Sequence, residues 1–77
     1  MTRTELSSIE SDIAAQGYKL VVKVDAAGKT VVTLTHRVTG NSFAGQSTGR
    51  GVSDRTRYEV ALRQAYTRMG EFEGRFA

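Results

Sequence analysis

The chain has 77 residues, with 11 Lys and Arg against 8 Asp and Glu, for a formal net charge of +3. That length holds one small domain, spanning 1–77, and 39% hydrophobic with 25% charged residues excludes a collagen-like or a highly charged disordered chain. The absence of cysteine and the single histidine exclude disulfides, thiolate zinc sites, Cys nucleophiles and His-rich metal sites. No apolar run of about 18 residues is present, and the N-terminus lacks the apolar stretch of a secretory signal. An intracellular, cytoplasmic location is therefore expected. A domain of about 60 residues buries only roughly 60% of its unfolded surface, which leaves little to line a deep pocket. An enzyme is not expected, nor any cofactor or metal.

Thr2 followed by Glu5 is a capping-box pattern. Leu6, Ile9 and Ile13 recur at helical spacing, and Gly17 suits a left-handed C-cap. A first helix is predicted over 3–16. Tyr18, Leu20, Val22 and Val24 then alternate with Lys19, Val21 and Lys23, which predicts a strand with one buried face. Asp25-Ala26-Ala27-Gly28-Lys29 is a turn. Thr30 to Val38, rich in Thr and Val, predicts a second strand with Val32, Leu34, His36 and Val38 on one face. Thr39-Gly40-Asn41-Ser42 is a second turn, and Phe43 to Thr48 a third, weaker strand. Connections this short make the three strands an antiparallel meander.

Gly49-Arg50-Gly51-Val52-Ser53 breaks the pattern, and Ser53 or Asp54 can cap a second helix. Tyr58, Ala61, Leu62, Ala65 and Met69 form an apolar stripe at helical spacing, supported by Arg55–Glu59 and Glu59–Arg63 pairs. Gly70 is expected to end this helix. The core is then about 3–69, with 70–77 a C-terminal tail carrying Phe72 and Phe76. The expected class is α+β, in the order αβββα, with a three-stranded antiparallel sheet and two helices packed on one face.

The positive charge is uneven. Residues 1–49 carry five cationic and four anionic groups, whereas 50–69 carry five arginines against Asp54 and Glu59. Eight of the eleven cations are Arg, whose planar fork suits phosphate or carboxylate. A helix start adds free N–H groups and a positive dipole end. The candidate binding residues are Arg50, Ser53, Arg55, Arg57, Tyr58 and Arg63, with Lys29 in the first turn. The plainer alternative is a solvated face with intrahelical pairs. His36 has no second His and no Cys to work with, so a packed histidine is expected. The glycines of 45–51 make no Walker pattern, because no Lys-Ser/Thr comes after them.

The element order, the length and Gly49-x-Gly51-x-Ser53 leading into the last helix resemble the double-stranded RNA-binding domain. That family's helix opens Gly-x-Gly-x-Ser-Lys-Lys-x-Ala-Lys-x-x-Ala-Ala-x-x-Ala-Leu. Gly49, Gly51, Ser53, Arg55, Ala61 and Ala65 match it in register, and the turn Val38-Thr39-Gly40-Asn41-Ser42-Phe43 is similar to the family's second hairpin. The resemblance implies an RNA duplex as ligand, read mostly by shape and 2′-hydroxyls. The chain also departs from the pattern. Asp54 replaces the first basic residue, Arg57 and Tyr58 replace an Ala and a Lys, and the family's Gly-Pro-x-His turn is absent. The first helix carries Arg3 against Glu5, Glu10 and Asp12. A non-enzymatic nucleic-acid-binding module is the leading expectation. The alternative is a small inhibitor acting by protein–protein contact, because size and style resemble phage accessory proteins such as anti-CRISPR proteins, which block nucleic-acid-handling host complexes.

Overall fold

A computed structural model describes residues 2–49 and 51–74. Its elements run α1 (Arg3–Ala15), β1 (Tyr18–Val24), β2 (Thr30–His36), β3 (Ser42–Ser47) and α2 (Asp54–Phe72). The order is αβββα, with an antiparallel sheet in the order β1-β2-β3. The fold is the expected α+β class.

The sheet register sorts its two faces. Leu20 lies opposite Leu34, which lies opposite Phe43; Val22 opposes Val32, which opposes Gly45. These rows face the helices. Lys19, Thr35 and Ser42, then Val21, Thr33 and Ala44, line the outer face. The core is Ile13 from α1, Tyr18, Val32 and Leu34 from the sheet, and Ala61, Leu62, Ala65 and Met69 from α2. The α2 stripe read from the sequence is thus its buried face.

One glycine sets how closely α2 sits. A Cβ on Gly45 would collide with the Ala61 carbonyl and come within 2.7 Å of Gln64 Cβ and 2.8 Å of the Ala65 nitrogen. Only a residue without a side chain lets the helix backbone rest on β3 here. Ala61 and Ala65 supply the matching small side chains.

Several boundaries differ from expectation. α1 ends at Ala15, with Gln16 as cap and Gly17 at φ +86°. β2 ends at His36, because that residue closes the turn: Gly40 N–H donates to its carbonyl, and its own N–H donates to Asn41 O. Val38 is left 88% exposed instead of lying on the buried face. β3 runs from Ser42 to Ser47, one residue earlier than the pattern indicates. Gly70 does not end α2. It lies buried inside the helix, which continues to Phe72 before Gly74 turns at φ +73°. That extra length has a use. The Phe72 ring packs on Phe43 with centroids 5.2 Å apart, and Glu73 accepts the Tyr18 hydroxyl at 2.6 Å. Phe76 and the rest of the predicted tail beyond Gly74 lie outside the described residues. No helix among the described residues is long and apolar enough to cross a membrane.

The largest difference is on β1. Alternation predicts its apolar positions buried throughout, and Tyr18 is. Val22 and Val24 are 41% and 57% exposed. α2 covers β3 and β2, while α1 lies over β1, where the residues it joins to the core are Tyr18 and Leu20. Among the described residues, no helix lies above the far half of β1.

Candidate binding end at the start of the second helix

Ser53 starts α2. Its extended backbone and its side chain, which accepts the Thr56 N–H at 3.1 Å, make it the N-cap. Gly51, at φ +78°, supplies the left-handed turn that brings the chain into the cap. Ser53 is therefore a positioning residue for the whole first turn of α2.

Arg57 is held inside this loop. Its Nη1 donates to the carbonyls of Gly49 at 3.1 Å and Val52 at 2.7 Å, and its Nη2 pairs with Asp54. The side chain is only 14% exposed, and its Nε is buried without a hydrogen-bond partner. A cation folded back onto two carbonyls clamps the β3–α2 loop. The position a Cβ would take on Gly28 is 3.9 Å from the Arg57 guanidinium carbon, so the β1–β2 turn rests against the same clamp.

That turn is built by Asp25, whose Oδ1 accepts the N–H groups of Ala27 and Lys29, both at 2.9 Å. Gly28 completes it at φ +84°. The backbone of Lys29 is thereby fixed in the turn, directly after the Gly28 that rests on Arg57. Arg55 projects from the first turn of α2, 53% exposed, with its Nε 3.1 Å from Glu59 Oε1. Such an exposed pair contributes a few tenths of a kcal/mol, about 0.3–0.5, and leaves the other guanidinium N–H groups to an external anion.

The remaining candidates are elsewhere. The Tyr58 hydroxyl donates to Glu10 Oε2 at 3.0 Å and ties α2 to α1. Burial first, then that carboxylate, pushes its pKa up to about 12. Arg63 is exposed and lines a groove of about 370 Å³ with Thr4, Glu5, Ser8 and Ile9. Arg50 lies outside the described residues. Lys29, Ser53, Arg55 and Arg57 thus gather at one end, whereas Tyr58 and Arg63 serve the seam between the helices.

His36 is packed and engaged. Its Nδ1 accepts from Val38 and Thr39 N–H at 3.2 and 3.1 Å, and its ring meets Tyr18 edge-on at 4.9 Å. Among the described residues, no three of His, Cys, Asp and Glu gather to hold a metal ion.

Two engaged residues escaped the sequence reading. Gln64 Oε1 accepts the Gln46 N–H at 3.0 Å, and Arg68 Nη1 donates to the Ala44 carbonyl. Both bond to β3 backbone groups that face away from β2. The available signal was their i, i+4 spacing along the flank of the Ala61/Ala65 stripe.

No family model, curated protein or solved structure matches the chain.

Proposed function

We propose that this protein is a non-enzymatic binding module for a nucleic-acid duplex, of the double-stranded RNA-binding type, and that Lys29 and Arg55 contact phosphates. The observation that carries this reading is the packing of the β1–β2 turn on the α2 start through Gly28 and Arg57. It joins a lysine turn, a capped helix start and an exposed arginine at one end of the molecule. Arg57 serves this site by shaping the loop, with its own charge spent on Asp54 and two carbonyls. Affinity from such contacts comes chiefly from counterion release and falls steeply with salt.

The test is a titration of a 20-base-pair RNA duplex and its DNA counterpart at about 50 and 200 mM salt. RNA preference with affinity falling about tenfold or more between those salts is expected. Lys29→Ala and Arg55→Ala should each lower the slope of log K against log salt by about one. A double variant that binds as tightly as the parent overturns the assignment.

A second reading, a small protein-contacting inhibitor, is favoured by the pairing of Arg55 with Glu59 and of Arg57 with Asp54. Those carboxylates blunt the field that a polyphosphate would meet. Absence of duplex binding, together with a stoichiometric protein complex that survives moderate salt and weakens in Arg55→Ala, would select this reading.

A further inference from the structure

We propose that the free edge of β1 pairs with β1 of a second copy, antiparallel and centred on Val22, to make one continuous six-stranded sheet. The order β1-β2-β3 leaves β1 bonded on one side only. Arg37 N–H donates to Gly17 O, and Asp25 N–H to Lys29 O. Odd-numbered residues of β1 therefore bond to β2, and the backbone groups of Leu20, Val22 and Val24 point outward. The strand has neither proline nor bulge to block pairing.

Charge selects the occupant and the register. Centred on Val22, the pairing sets Val22 opposite itself and Leu20 opposite the partner's Val24. On the outer face it sets Lys19 opposite the partner's Asp25 and Val21 opposite the partner's Lys23. Both exposed valines of β1 are then covered, and each lysine meets either a carboxylate or a valine. Moving the centre to Val21 sets Lys19 against the partner's Lys23. Moving it to Lys23 sets that lysine against its own copy. Like charges directly opposite are destabilising, so the lysines specify the register. The Val22-centred pairing forms about six backbone hydrogen bonds, two at each of three pairs.

The test is sedimentation equilibrium of the full chain from about 5 to 500 µM, where self-association must follow mass action. A reversible monomer–dimer equilibrium is expected. Val22→Glu, at a position already 41% exposed, should abolish the dimer while circular dichroism shows the fold retained. Lys19→Glu should weaken the dimer about tenfold, since it alters two symmetric pairs, and Lys23→Glu should change it less than about twofold. A chain that is monomeric throughout the range overturns the proposal. So does a dimer indifferent to Val22→Glu and Lys19→Glu, or one that Lys23→Glu strengthens, as the Val21-centred register would require.

Discussion

The two edges of the sheet are treated in opposite ways. On β3 the outward carbonyl of Ala44 and N–H of Gln46 are taken by Arg68 and Gln64 of α2. The helix can reach them because Gly45 lets it rest directly on the strand. On β1, among the described residues, no helix lies beside the corresponding groups of Val22 and Val24, and both side chains are exposed. An uncovered strand edge is a template for another chain. Two helices that leave the far half of β1 uncovered thus produce a closed side and an open side.

The contrast breaks most severely at Gly45. Gly45→Val would drive a side chain into the α2 backbone, and a loss of about 3 kcal/mol or more is expected in urea denaturation. Val22→Thr, directly across the sheet on the open side, should cost within about 0.5 kcal/mol in the same assay. Equal costs would show that the helix backbone does not rest on β3.

Arg57→Ala comes next, at about 1–2 kcal/mol, because the Gly49 and Val52 carbonyls lose a charged donor. Duplex affinity should fall with it at any salt, through a loosened loop, whereas Arg55→Ala should leave stability within about 0.5 kcal/mol. Gln64→Ala should cost about 1 kcal/mol and expose the Gln46 N–H, which turns part of the closed edge into an open one.

A further effect appears only in alkali. Burial first, and the Glu73 carboxylate second, push the Tyr18 pKa up to about 12. A raised pKa means that the fold favours the neutral phenol. Its contribution is intact below pH 10 and is lost as pH climbs toward 12. Tyr58 behaves alike, through its burial first and Glu10 second. Urea midpoints should therefore fall across that window, and the fall should shrink in Tyr18→Phe.

The element order and the buried face of α2 were legible because periodicity reports local structure directly. Alternation in β1 and the 3–4 spacing of Ala61, Leu62, Ala65 and Met69 needed no tertiary information. What escaped depends on neighbours distant in sequence. Gly70 read as a helix end and Gly45 as an ordinary position of a weak strand; one is a buried helix position and the other a contact point for a helix backbone. Val22 and Val24 read as core because alternation tells which face a residue is on and not whether anything covers that face. The arginine cluster was visible as charge, but Arg57 is a clamp only because the loop carbonyls turn toward it. Composition cannot distinguish a cation offered to a partner from one already engaged.

Amide hydrogen exchange, read residue by residue at low and high protein concentration, tests the contrast between the edges most directly. The Gln46 amide should be protected at both concentrations. The Val22 and Val24 amides should exchange freely when dilute and slow down as the protein is concentrated. Protected Val22 and Val24 amides in dilute solution, or a Gln46 amide that exchanges as fast as they do, would contradict a closed β3 edge and an open β1 edge.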